Sequence, residues 1–390
     1  MKIDKSKWTK VTFGDIATES RDTIHDCEGK SLARYIGLDH IDPENLSISR
    51  WGEYAEGVSF TKTFKEGDIL FGRRRAYQKK AAIAPFDGVC SGDILVFRPK
   101  VGQVDPTLFP FLIQNDRFFD FAMKTSAGSL SPRTKFKDLS RFELLLPPLD
   151  QQKELADLLW SGNNLLSKYH QQELLFTEYL SAAINNLIWE AKHPGGHLCN
   201  IAVNKKFVDG DWIENKNMSS NGVRLIQLAD IGDKVFINKS KRYISNETFS
   251  KLNCFQVLPG DLLLARMPDP IGRTCEIPDL GQKMITAVDC CIIRIEENKH
   301  NKKYWLYVLN SSRIRRAYET ISSGTTRQRI SKSKLEKLLV PSPDLHTQNN
   351  IADKLQKIDN LRISFTKQAS KIHSFNKSLA DEIFSISLLI

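Results

Sequence analysis

The chain has 390 residues, 41% of them hydrophobic and 26% charged, with seven cysteines and a formal net charge of +10. This is the composition of an ordinary globular protein, long enough for two domains; it excludes a disulfide scaffold and a low-complexity chain. No apolar run approaches the ~18 residues of a membrane helix, and the basic balance points to an anionic partner, nucleic acid first. MKIDKSKW at the start lacks the apolar run of a signal peptide, and the scattered cysteines include no C-x-x-C pair, so the expected compartment is the cytoplasm.

Taken in order, residues 8–16 (WTKVTFGDI) read as a short strand and turn. Residues 33–41 (ARYIGLDHI) alternate and predict a buried strand. Gly67-Asp68 is a turn signal that launches the strand Ile69-Leu70-Phe71, and a second Gly-Asp precedes a strand over 94–98. Between these strands lies the densest basic cluster: Arg73, Arg74, Arg75, Tyr77, Lys79 and Lys80. A helical segment over 106–124 follows, then TSAGSLSPRTKFKDLSRFELLLPPLDQQKELADLL from Thr125 to Leu159.

That stretch ends in a long helix. Pro147-Pro148 sets its start, with Asp150 the expected N-cap, and Pro194-Gly195-Gly196 ends it. Leu155, Leu159, Gly162, Leu166, Tyr169, Phe176, Leu180, Ala183 and Leu187 recur three and four apart, a heptad seam interrupted by Glu173.

The second half repeats the first. ISSGTTRQRISKSKLEKLLVPSPDLHTQNNIADKL, from Ile321 to Leu355, aligns without a gap: Gly128 falls on Gly324, Arg133 on Arg329, Pro147 on Pro343 and Gln152 on Gln348. Residues 224–231 echo 33–41, Gly260-Asp261 matches Gly67-Asp68, Arg266 matches Arg73, and a helical segment returns over 302–321. Cys290 and Cys291 are expected on opposite faces of a strand. The second seam runs through Ile351, Leu355, Ile358, Phe365, Ala369, Ile372, Leu379 and Ile383, with Arg362 and Asn376 as breaks. A period of half the chain means two copies of a whole domain.

The fold class expected is α+β, with two tandem domains, each followed by a long helix. The boundaries expected are 1–149 for the first domain, 150–193 for its helix, 194–346 for the second domain and 347–390 for the second helix. Each helix, at 1.5 Å per residue, is about 60 Å long. A helix of that length with one apolar stripe needs a partner, and the other copy is the obvious one, antiparallel about a pseudo-two-fold axis.

The sequence carries no G-x-S-x-G, H-E-x-x-H or G-x-G-x-x-G, and no Asn-Pro-Pro-Tyr or Asp-Pro-Pro-Tyr. Gly29-Lys30-Ser31 lacks the upstream glycine of a phosphate loop, Ile24 standing there. His193, His197 and Cys199 have a loose metal-ligand spacing without a fourth ligand nearby. The chemistry present is that of nucleic-acid contact. Arginine forks onto guanine and onto phosphate, and lysine places a point charge on the backbone. Candidates in the first half are Arg73, Arg74, Arg75, Tyr77, Lys79 and Lys80, with Ser129, Arg133 and Lys135 of the Gly-Ser loop. In the second half they are Arg266, Arg273, Thr325, Arg327, Arg329 and Lys332.

The Gly-Asp-Ile-Leu strand start, the Ser-Gly…Arg segment and the Pro-Pro-Leu-Asp-Gln-Gln helix start, present twice in the same order, resemble the specificity subunit of Type I restriction-modification enzymes over nearly the whole chain. The resemblance implies two target-recognition domains, each reading half of a split DNA target, and two long helices that set the gap. It implies a chain without catalysis or cofactor of its own. It also implies two methyltransferase subunits carrying S-adenosylmethionine and motor-nuclease subunits using ATP and Mg²⁺. Three other readings stay open at this stage: the specificity partner of a Type IIB-like fused methyltransferase-nuclease, a nuclease using Asp261 and Asp289 at a metal, and a coiled-coil scaffold.

Overall fold

A computed structural model describes residues 3–24, 33–53, 59–268, 270–324 and 328–385. The chain divides into two compact units, Met1–His170 with Thr366–Ile390, and Gln171–Phe365. The division crosses both long helices, so each unit holds one α+β domain and one end of each helix.

In the first unit, one antiparallel sheet has the order Ala17–Ser20, Ile94–Pro99, Ile69–Gly72, Ala81–Ile83. A second has the order Gly52–Glu53, Arg34–Ile36, Gly88–Cys90, Lys62–Phe64, its middle pair parallel. The central strands are buried on both faces, which is why they read as unbroken apolar runs. Ile69, Phe71, Leu95 and Phe97 enter a core shared with the helices Phe109–Gln114 and Asp116–Lys124. Leu70 and Val96 point the other way, onto Ile36, Phe64 and Cys90.

The second unit repeats this plan. Its first sheet runs Val208–Asp209, Cys290–Ile293, Leu262–Ala265, Thr274–Glu276. Its second again contains a parallel pair, Val223–Ile226 with Met284–Thr286. Cys290 and Cys291 do face opposite ways, into two different cores. The strand expected over 33–41 is shorter: it covers Arg34–Ile36, and Leu38–His40 forms a 3₁₀ turn. Here His40 Nδ1 accepts from the Gly37 N–H at 3.0 Å, and in the second copy Asp230 accepts from the Gln227 N–H at 2.8 Å. A side-chain acceptor three residues on captures the backbone and ends the strand, a local bond that hydrophobic alternation does not register.

The first long helix is α-helical over Leu149–Ile184 and continues as a π-helix over Asn185–Glu190; the second spans Leu345–Phe384. Asp150 therefore lies inside the first turn, where its charge faces the positive helix end, and is not the cap. Each helix start is clamped in the same way. Gln152, 1% exposed, accepts from the Asp105 N–H at 2.7 Å and donates to the Pro147 carbonyl at 2.8 Å. Gln348, fully buried, accepts from the Asn301 N–H at 2.9 Å and donates to the Pro343 carbonyl at 2.7 Å. A two-stranded pairing sits beside each clamp, Thr9–Thr12 with Glu143–Leu146 and Gly195–His197 with Leu339–Pro341.

Within each unit the helices pack through the seam. In the first, Leu155 and Leu159 share a core with Leu379 and Ile383, and Gly162 sits so close to Asn376 that a Cβ there would lie 2.1 Å from its Oδ1. Leu166, Tyr169 and Ile372 are half-buried. In the second, Leu180 shares a core with Ile351, Leu355 and the partly buried Ile358, and the Phe176 and Phe365 rings lie 5.3 Å apart. The π-turn adds a residue to the helix repeat, so Ile188 is fully buried while Leu187 is only partly so. The second helix also buries Asp359 at 5% exposure, bonded to Lys234 and Arg362.

Leu355→Ala should therefore destabilise the chain by about 2–5 kcal/mol through loss of burial and an unfilled cavity. Gln348→Leu should cost about 1–3 kcal/mol by orphaning the Asn301 N–H. Thermal melting of both variants checks the order.

Candidate nucleic-acid interface

The strand Ile69–Gly72 ends at a cluster that joins the triple arginine to the Gly-Ser loop, two segments that stood apart in the sequence. Arg73 N–H donates to the Asp93 carbonyl at 2.9 Å, and Thr134 N–H donates to the Arg73 carbonyl at 3.0 Å. Ala127 and Arg133 bridge across a turn at Gly128, whose φ of +112° requires glycine. Arg74 bridges to Arg133, and Arg75 N–H donates to the Pro132 carbonyl at 3.0 Å. The cluster is a woven backbone frame carrying charged side chains.

Asp93 is its electrostatic centre. It accepts from Arg133 at 2.7 Å and from Arg74 at 3.3 Å, while Arg74 also reaches Ser131 Oγ at 3.2 Å. Partial burial pushes the Asp93 carboxyl up, but the bonds and charges of Arg133 and Arg74 outweigh it and hold the group below its usual range. Arg73 Nε donates to the Thr134 carbonyl at 3.1 Å. Around this frame Arg75, Tyr77, Ser129, Arg133 and Lys135 are exposed, Tyr77 at 57%, with Leu130 at 92% on the facing loop.

Two predicted members lie elsewhere. Lys79 pairs with Asp116 at 2.5 Å and Glu44 at 3.1 Å, and Lys377 of the second long helix reaches the same carboxylates at 2.9 and 3.6 Å. The hydrogen bond to Asp116 raises the Lys79 pKa. Lys79 is thus a brace between the turn that follows the triple arginine and the second long helix. Lys80 Nζ donates to the Leu38 carbonyl at 2.5 Å and ties the two sheets together. Spacing alone placed both in the basic cluster; their partners come from elements 35 or more residues away, or from the far end of the chain.

The second domain weaves the same frame. Arg266 N–H donates to the Asp289 carbonyl at 2.9 Å, Ile330 N–H donates to the Arg266 carbonyl at 3.0 Å, and Ser323 and Arg329 bridge around Gly324, at φ +114°. Its side chains differ. Arg266 is 4% exposed and pairs with Asp209 at 3.0 Å, so its guanidinium is used inside the domain and leaves the surface set. Arg273 is half-buried and donates to the Leu228 carbonyl at 3.4 Å. Arg329 donates to the Val288 carbonyl at 2.7 Å, and Lys332 stands 3.8 Å from Asp209. Thr325 and Arg327 lie outside the described residues. Met267 and Pro268 occupy the places of Arg74 and Arg75.

Of the two carboxylates weighed as metal ligands, Asp289 stands 3.8 Å from Arg329 and Asp261 is bonded. Asp261 accepts two bonds from Arg294, at 2.8 and 2.7 Å, as Asp68 does from Arg98 at 2.8 and 2.9 Å. His193 and His197 bond to the Leu187 and Lys337 carbonyls. Among the described residues no group of three or more His, Cys, Asp or Glu could hold a metal ion, and no helix is long and apolar enough to cross a membrane.

Residues 5–174 and 211–372 match the family of the Type I restriction modification DNA specificity domain, once per copy. The chain is 21% identical over 323 residues to the Type I restriction enzyme MjaVIII specificity subunit of Methanocaldococcus jannaschii, covering 75% of this chain and 76% of that one. It is 21% identical over 407 residues to the putative MjaX specificity subunit of the same organism, covering 95% and 88%. Its fold matches the crystal structure of a Type I restriction-modification system S subunit from M. genitalium with a TM-score of 0.61, at 12% identity over 100% of this chain and 99% of the other.

Because the Asp93 carboxyl is held below its usual pKa, its contribution to stability is present above the unfolded value of ~3.9 and is lost as pH falls through the folded value. Asp93→Asn should therefore melt below the native chain at neutral pH, and the gap should close in acid below pH ~4. Paired melting curves from pH 7 to pH 3 test this.

Proposed function

Since the chain belongs to the family of the Type I restriction modification DNA specificity domain, we propose that it is a non-catalytic reader that directs partner subunits to a split double-stranded DNA target. The observation that supports this most strongly is the basic frame built twice, on the same backbone bonds, around Arg73 with Gly128 and around Arg266 with Gly324. Each frame would present exposed side chains to one half-site, with arginine and lysine on phosphates and arginine forks or apolar groups on base edges. The different side chains on a common frame suit an asymmetric target.

The two long helices would set the interval between half-sites and dock two methyltransferase subunits. Those subunits would carry S-adenosylmethionine and modify adenine. Motor-nuclease subunits would bring ATP and Mg²⁺, and all would work with this chain in the cytoplasm. The exposed Leu158, Leu165, Leu174 and Tyr179 of the first helix and Phe375 of the second supply apolar surface for such docking.

Mapping of methylated adenines in cells should give a two-part motif only when this chain and its methyltransferase partner are both present. The combined change Arg73→Ala, Arg74→Ala and Arg75→Ala should remove specific DNA binding in a gel-shift assay while leaving co-purification with the partner intact. Unchanged affinity for the cognate duplex would remove these residues from the interface.

A further inference from the structure

The turn from Arg75 to Lys79 differs from the rest of the basic frame. Both ends are left-handed, Arg75 at φ 54°, ψ 56° and Lys79 at φ 50°, ψ 45°, flanking the 3₁₀ turn Ala76–Gln78. Side chains with a Cβ rarely adopt that conformation, and two in five residues persist only where the surroundings over-determine them. Those surroundings are present. Arg75 N–H bonds to the Pro132 carbonyl, Gln78 N–H bonds to the Arg75 carbonyl at 2.9 Å, Ala76 is buried, and Lys79 is fastened to Asp116 and Glu44.

The charges divide in the same way. Arg73, Arg74 and Arg133 each spend donors on protein acceptors: Thr134, Asp93 and Ser131. Arg75 is exposed and, among the described residues, its guanidinium has no protein partner. A backbone pinned in a disfavoured conformation thus presents one unpaired planar fork, with the exposed Tyr77 two residues on. Among the described residues its five donors are free and the backbone they start from is fixed, so only the side chain's own rotamers remain to be ordered on binding. At the same place the second domain has Met267 and Pro268, which offer no fork.

We propose that Arg75 is a specificity-determining residue that reads a guanine in the major groove of the half-site bound by the first domain, through its O6 and N7 acceptors. The assignment rests on the DNA-reading function proposed above. A phosphate contact would use the same charge but would carry no base preference, and the test separates the two.

Methylated adenines are mapped in cells that carry the methyltransferase partner with the native chain, with Arg75→Gly or with Arg75→Lys. Glycine suits the left-handed backbone, so Arg75→Gly should melt no lower than the native chain while losing the fork. The native motif should contain a fixed guanine in one half. With Arg75→Gly that position alone should become degenerate, its discrimination falling about 10- to 100-fold, with the other fixed positions kept. Arg75→Lys should fall between the native chain and Arg75→Gly, since a shorter ammonium lacks the planar fork but still donates to O6 and N7. Two results would overturn the assignment: an unchanged motif with Arg75→Gly, or an even decline of methylation at all sites. No two-part motif with the native chain would overturn the underlying function, and this assignment with it.

Discussion

Neither long helix can bury its apolar stripe by itself, and the rest of the architecture follows from that. An isolated helix of 36 or 40 residues with one apolar face gains little from its own backbone bonds in water. Each instead finds the other, and each end of the pair is absorbed into the core of a domain: Leu155, Leu159, Leu379 and Ile383 in one, Leu180, Ile351 and Leu355 in the other. The buried amides of Gln152 and Gln348 then fix each helix start to its domain, because an unmade bond at a buried N–H would be costly. Helix and domain become one cooperative body.

The same economy of partners sorts the basic residues. A positive cluster on a protein surface repels itself unless something lies between the charges. Asp93 does this for Arg74 and Arg133, while Asp116 and Glu44 do it for Lys79 and Lys377. The carboxylates divide arginines and lysines that hold the structure from those that face outward. Proximity in sequence is a poor guide to which is which: Arg75 and Lys79 are four residues apart and end in different roles.

The two copies share bonds that involve the backbone and differ in side chains that do not. Gly128 and Gly324, the carbonyls of Asp93 and Asp289, and the two glutamine clamps recur because the frame needs them. Arg74-Arg75 differs from Met267-Pro268: Met267 cannot make the bonds of Arg74 to Asp93 and Ser131, and Pro268 has no N–H to match that of Arg75, while the backbone bonds at Arg73 and Arg266 are common to both. Divergence at equivalent places on a common frame suits the proposed reading of an asymmetric target.

Residue order alone carries the duplication, the α+β class, the helix seams and the absence of the familiar catalytic motifs. These are written in periodicity and in local spacing, which survive without knowledge of the fold. It also supplied the opposite facing of Cys290 and Cys291, since strand alternation is strictly local. It took the folded chain to reveal that Arg266 is buried against Asp209, that Lys79 and Lys80 brace the domain, that a π-turn moves the seam from Leu187 to Ile188, and that Arg75, on a pinned turn, has no side-chain partner among the described residues. In most of these cases the reason is the same. The partner that settles a side chain's role comes from a distant part of the chain, and the energy of pairing depends on that encounter rather than on the residue type.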